Sequence, residues 1–146
     1  MNNHTPEIQS SHAILLHSGN YVLQLRDNKP TIAAPGEWSL FGGMKRKDET
    51  PIDAIRREVF EELLIEPNEF KYLWHSDYYS DFEKAIIRTW FFVSDVSEVW
   101  SKHRLTEGQG VYFFEFSRLA GIMMPPVMRA TLKKYHTFHR METKRI

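Results

Sequence analysis

The chain has 146 residues and no cysteine, with 42% hydrophobic and 26% charged residues, the balance of one ordinary globular domain with a genuine core. Its 19 lysines and arginines equal its 19 aspartates and glutamates, so no basic excess points to a nucleic-acid polyanion as main partner. Disulfides, thiolate zinc sites and cysteine nucleophiles are excluded, the polar start lacks the apolar core of a signal peptide, and no run approaches a membrane span; a cytoplasmic protein with no membrane partner is expected.

Residues 1–11 read as a disordered N-terminal tail, and 12–146 as a single domain. "AILLHSGNYVLQLR" then gives two short apolar runs around Ser18-Gly19-Asn20, a hairpin signal. Tyr21, Leu23 and Leu25 alternate with Val22, Gln24 and Arg26, which fits a strand with one buried face. The proline- and glycine-bearing stretch 27–37 is a loop, and "WSLF" is a short strand ending on Gly42-Gly43. A helix follows with a well-marked start: Thr50 as N-cap, Pro51 in the first helical position and Asp53 completing a capping-box variant. "FKYLWHSDYY", "AIIRTWFFVSDV" and "VYFFEF" are aromatic and β-branched and read as strands. Pro125-Pro126 opens a last helix with Met128, Leu132 and Tyr135 on one face. The order predicts one α/β or α+β domain, a mixed sheet covered by helices.

"REVFEELLI", residues 57–65, concentrates Glu58, Glu61 and Glu62 on the first of these helices. At about 100° per residue the three carboxylates share an arc of roughly 100°, beside an apolar arc of Ile52, Ile55, Val59 and Leu63. Three details separate this face from an ordinary solvated one. The repulsion is not relieved by lysines one turn away, the acids adjoin the buried stripe, and a Gly-Gly pair precedes the helix, where backbone can approach a ligand. Arg57, one turn before Glu61, is placed to pair with it. Magnesium is held by carboxylates together with substrate phosphates and water, so the expected chemistry is metal-assisted attack of water on a phosphate or diphosphate.

Residues 43–65, "GMKRKDETPIDAIRREVFEELLI", resemble the Nudix box: glycine, five residues, glutamate, seven residues, Arg-Glu, an aliphatic residue, any residue, Glu-Glu, any residue, glycine, aliphatic. Gly43, Glu49, Arg57, Glu58, Val59, Glu61, Glu62 and Ile65 fall in register, and Leu64 stands in place of the last glycine. The resemblance implies an α/β/α sandwich around a central mixed sheet and hydrolysis of a nucleoside diphosphate linked to another group. It implies that Gly42 lends a carbonyl to the metal, that Gly43 lets the loop turn into the helix, and that Glu49 and Arg57 brace the two. Glu58, Glu61 and Glu62 would bind Mg2+ or Mn2+. Glu107, in "RLTEGQG", is the candidate for a further acid, as metal ligand or general base. Because Leu64 replaces a residue that serves in the left-handed conformation, the helix is expected to finish differently, with catalysis retained.

Residues outside the box choose the substrate. Ser80 and Asp81 stand where ADP-ribose hydrolases of the family commonly carry a proline, and the marks of diadenosine-polyphosphate and coenzyme A hydrolases are missing, which favours a (deoxy)nucleoside triphosphate or a nucleotide sugar. Trp38, Tyr78, Tyr79 and Phe82 are candidates to stack on a base, and Arg26 to reach a phosphate. His136 and His139, without a third ligand at hand, read as surface histidines. The partner is a nucleotide-type small molecule, and a homodimer is compatible with the reading. Two alternatives stand beside it: a catalytically inactive nucleotide-sensing Nudix domain, and an RNA 5′-end pyrophosphohydrolase, which requires a local basic groove.

Overall fold

The structure, a computed structural model, describes the backbone of residues 5–144 and the side chains of residues 5–139. Strands β1 (Ile8–His17) and β2 (Asn20–Leu25) form the expected hairpin around Ser18-Gly19, whose φ angles of 49° and 83° make the two-residue turn that matches strand twist. The short strands β3 (Trp38–Ser39) and β4 (Phe41–Met44) lead to helix α1 (Pro51–Leu63). Strands β5 (Lys71–Ser80) and β6 (Ala85–Asp95) form a second hairpin; β7 (Gly110–Phe114) and helix α2 (Pro126–Lys144) complete the domain.

The sheet is mixed because β1 runs parallel to β6 and antiparallel to everything else it pairs with. One edge of β1 is shared. Its residues 15–17 pair with β2, while residues 10–13 pair with β4. The far part of β2 pairs with β3 on that same side and with β7 on the other. The β3–β4 ribbon is therefore wedged between two strands that part from one another. Gly42 and Gly43 sit inside this wedge, within β4, and not after a strand as the sequence led us to expect.

Alternation along β1 assigns the layers. Ala13 and Leu15 pack with Val22, Phe41, Ile55, Val59 and Leu63 beneath α1, while Ile14 packs with Leu23, Phe91, Met128 and Leu132 beneath α2. The result is the α/β/α arrangement of the α+β class. Two readings need correction. The sequence predicts a tail through residue 11, but Ile8–Ser11 belong to β1, and residues 1–4 lie outside the described residues. Gln9, Ser10 and Ser11 read as tail because they are polar. Their side chains are instead bonded: the indole Nε1 of Trp90 donates to Gln9 Oε1, Ser10 pairs with Thr89 Oγ1, and Ser11 Oγ donates to the Pro51 carbonyl. Strand β2 is buried on both faces, since Val22 and Gln24 are as enclosed as Tyr21 and Leu23.

Candidate active site

Helix α1 starts as its sequence dictates: Thr50 is extended, and its hydroxyl accepts from the Asp53 N–H at 3.3 Å, with Pro51 at the first position. Ile55, Val59 and Leu63 fix the helix against the sheet, and this sets where each glutamate goes. The three are not equivalent. Glu62 is only 3% exposed, whereas the side chains of Glu58 and Glu61 are 16% and 50% exposed.

Glu62 reaches into the wedge. Its Oε1 accepts from the Gly42 N–H at 2.9 Å and its Oε2 from the Gln24 amide at 3.2 Å. Desolvation raises its pKa to about 8, a shift opposed by Gln24 and increased by the charges of Glu58 and Glu107. Glu58 lies against Gly43, where a Cβ would stand 2.5 Å from its Oε2. Gly43 leaves the room in which that carboxylate lies, and a side chain there would displace it; its φ is not in the left-handed range that a glycine turn would use. Gly42 is constrained by backbone: its φ of 148° suits glycine, and a Cβ there would stand 2.1 Å from the Ser11 carbonyl oxygen. Burial raises the Glu58 pKa as well, against the opposing hydrogen bond from Arg57.

Arg57 is the brace, with its main partner different from the one its spacing proposes. Its Nε and Nη2 clasp both oxygens of Glu49 at 2.7 and 2.8 Å, Nη2 also donates to the Met44 carbonyl, and Nη1 donates to Glu58 Oε1 at 2.8 Å. The contact with Glu61 is longer, at 3.3 Å. The bidentate hydrogen bond holds the Glu49 carboxyl down at about 2. Glu49 in turn accepts from the Arg46 N–H, so the 44–49 loop is tied to the helix.

Helix α1 does not finish differently, as the loss of glycine predicted. Leu64 itself adopts the left-handed conformation, φ 56° and ψ 33°, and its N–H bonds to the Phe60 carbonyl. The strand of chain at 104–106 covers the remaining helix end. It brings Glu107 close enough for its charge to raise Glu58 and Glu62.

The other candidates are more dispersed. The ends of β2, β4 and β5 and the starts of β1, β6 and β7 share one end of the sheet, which places Arg26, the Glu107 loop and the β5–β6 turn with Phe82 there. Arg26 uses its Nε to hold the Ala33 carbonyl. Trp38 is half-buried against Tyr112 and Phe114, and the Tyr78 hydroxyl bonds to Thr89; the rings of Tyr79 and Phe82 are exposed. His136 is not a surface histidine: it stacks on Phe116 and bonds the Tyr21 hydroxyl at 2.8 Å. Sequence reasoning missed Gln24 and His12. His12 Nδ1 is buried without a hydrogen-bond partner among the described residues, and burial together with Arg26 lowers its pKa to about 3, so the ring is neutral. A cleft of about 540 Å³ lined by Leu16, Lys71, Asp95 and Tyr135 lies at the opposite end of β1. Within it Ser94 Oγ donates to the Glu69 carbonyl and Ser97 Oγ to Asp95.

Among the described residues no three acidic or imidazole side chains already converge as a cation cage. The donor set nevertheless fits a hard divalent cation. It consists of carboxylate oxygens, and burial and mutual repulsion make Glu58 and Glu62 costly to ionise without a positive charge beside them. The NUDIX domain model matches residues 8–136. The chain belongs to the NUDIX domain family. Known structures share the Nudix fold: a MutT protein from Methanosarcina mazei Go1 (TM-score 0.77, 19% identity, 94% of this chain and 99% of that one) and the NUDIX domain of Shewanella oneidensis NrtR complexed with ADP ribose (TM-score 0.72, 15% identity, 94% and 89%). A MutT NUDIX hydrolase from Burkholderia pseudomallei is similar at TM-score 0.66, with 19% identity over 86% of this chain and 95% of that one. No curated protein matches the chain. No helix among the described residues is long and apolar enough to cross a membrane.

Proposed function

We propose that the chain is a metal-dependent hydrolase that cleaves a phosphoanhydride bond of a nucleoside diphosphate derivative, with (deoxy)nucleoside triphosphates and nucleotide sugars as the first substrate classes. The observation that carries the reading is the pair of desolvated carboxylates, Glu58 and Glu62, set against the two glycines of β4 with the charge of Glu107 beside them.

Glu58, Glu61 and Glu62 would hold Mg2+ or Mn2+, with the Gly42 carbonyl as a further oxygen donor. When bound, the cation neutralises phosphate charge and lowers the pKa of a coordinated water. The protein's own part is orientation and proton handling. Arg57 fixes Glu58 through a 2.8 Å hydrogen bond, and Gln24 with the Gly42 N–H fixes Glu62. Glu107 accepts the proton of the attacking water or completes the ligand set. Arg26 and the exposed Phe82 ring, at the same end of the sheet, serve the phosphate and the base, and Trp38 and Tyr78 are further candidates to meet the base. A cytoplasmic setting accords with this substrate class.

The test is a panel of nucleoside triphosphates, nucleotide sugars and ADP-ribose, assayed with Mg2+ and with Mn2+ against E61Q and E62Q. ADP-ribose is included because the NUDIX domain of the Shewanella oneidensis NrtR is complexed with it. Turnover of at least one member, cut by orders of magnitude in both variants while the melting curves stay cooperative, is the expected result. Normal activity in both variants removes the metal-site assignment. Binding of a panel member without turnover makes the chain a sensing domain instead.

A further inference from the structure

We propose that Thr106 is a positioning residue that holds Glu107 against the carboxylate site. The proposal rests on the hydrolase reading above and adds to it the device that sets its fourth acid.

An α-helix leaves its last four carbonyls without partners inside the helix. In α1 the Leu64 N–H takes the first of these, Phe60, through the left-handed turn. The other three are all taken by one distant segment. The Arg104 N–H donates to the Leu63 carbonyl at 2.9 Å, and the Thr106 N–H to the Glu62 carbonyl at 3.0 Å. The Thr106 hydroxyl donates to the Glu61 carbonyl at 2.6 Å, with the Glu62 carbonyl at 3.2 Å. Two of the three carbonyls so bound belong to Glu61 and Glu62, whose side chains form the site.

Three residues further on, the chain is pinned again. The Gln109 N–H donates to the Leu25 carbonyl and its side-chain amide to the Arg26 carbonyl, each at 2.8 Å. Glu107 and Gly108 are thus the free span of a segment fastened at one end to the last turn of α1 and at the other to the end of β2. A carboxylate on an ordinary loop samples many positions. Here its backbone is registered, hydrogen bond by hydrogen bond, to the same turn that carries Glu61 and Glu62. The backbone N–H of Thr106 serves Glu62 alone, so within this segment the Glu61 carbonyl depends on the side chain at 106. The hydroxyl adds the bond to Glu61 and fixes the orientation of the residue preceding Glu107.

A purely structural cap and a positioning role make different predictions. If Thr106 acts through Glu107, its loss has no further effect once Glu107 is disabled. We therefore expect T106V to lower kcat about tenfold at 25 °C with KM changed less than twofold, and T106S, which keeps the hydroxyl, to stay within twofold of the parent. E107Q should lower kcat about a hundredfold, and T106V/E107Q should lie within twofold of E107Q. The same cycle is read on Mn2+ affinity by electron spin resonance, which needs no turnover. A carboxylate near the cation strengthens its binding in either role of Glu107, so T106V and E107Q should each weaken it severalfold, and the double variant no further than E107Q.

The proposal is overturned if the double variant is tenfold worse than E107Q, if T106V matches the parent, or if E107Q leaves both readouts unchanged. Failure of the hydrolase reading looks different: the parent then turns over no substrate, while the Mn2+ cycle still decides for or against Thr106. Should T106V not fold, Q109A loosens the other end of the span by removing the side-chain bond to the Arg26 carbonyl, and is expected to give the same non-additivity with E107Q.

Discussion

The two ends of the Nudix box hold carboxylates whose environments push in opposite directions. At its start Glu49 lies in the grip of Arg57, and its pKa falls to about 2. At its end Glu62 is enclosed by the wedge of the sheet, and its pKa climbs to about 8. The helix between them adds to the contrast. Thr50, Pro51 and Asp53 complement the N-terminus, while the last turn carries two acids and no base, the unfavourable arrangement for the helix dipole. The first end is built for stability. The second gives up stability to hold the carboxylates to which we assign the cation, so the two ends should answer differently to substitution.

The largest effect is expected where the second end meets β4. G43A puts a Cβ where the Glu58 carboxylate lies, 2.5 Å from Oε2, and that side chain has to leave. Turnover should fall about a hundredfold, the scale of a misplaced catalytic group, while the melting temperature changes little. Steady-state rates and a thermal melt on the same preparation check both halves.

Next comes pH. A carboxyl raised from 4.5 to about 8 on folding contributes stability that is fully present below 4.5 and lost as pH rises through 8. Glu49, lowered from 4.5 to about 2, contributes stability present above 4.5 and lost as pH falls through 2. With a chelator present, E62Q should flatten the loss of melting temperature between about pH 5 and pH 8.5 and leave the acid limb unchanged. Removing Glu49 should do the reverse. If E62Q melts in parallel with the parent across that range, burial of a charged group at this end is the wrong account.

How far this contrast can be read from sequence depends on the residue. Thr50, Pro51 and Asp53 announce the first end because capping is local chemistry. The order of burial among the glutamates was also present in the sequence. On the helical wheel Glu62 stands about 40° from Glu58 toward the apolar arc, and Glu61 about 60° away from it. Gln24 was not legible. It alternates like an exposed strand residue, and only the wedged β3–β4 ribbon encloses it. The same holds for the 104–106 cap, whose partners lie some 40 residues upstream and carry no motif. His12, set against Gly42 with a buried Nδ1, follows from the pairing register of β1 and β4, which composition does not encode. The fold class needed only the order of elements; the site needed the register.

At the first end, T50A removes the hydroxyl that accepts from the Asp53 N–H and should cost about 1 kcal/mol, roughly 3 °C in melting temperature. Activity measured well below the melt should be unchanged, since the cap touches none of the acids.

The smallest effect belongs to Leu64, the box position out of register. Its left-handed conformation costs an L-residue about 1–2 kcal/mol, which glycine avoids. Glycine returns part of that advantage, about 0.4–1 kcal/mol, through the greater freedom of the unfolded chain. Leu64 is 42% exposed and loses little packing, so L64G should stabilise the protein by about 0.5 kcal/mol, measurable by denaturant titration. Its value lies in what else moves. The helix end is held by Arg104 and Thr106 as well as by the turn at 64, and the glutamates are placed by that double fastening. Turnover of L64G should therefore stay within about twofold of the parent. A large change in either direction would mean that the left-handed leucine itself sets the carboxylates, and that the second end of the box is as local in its control as the first.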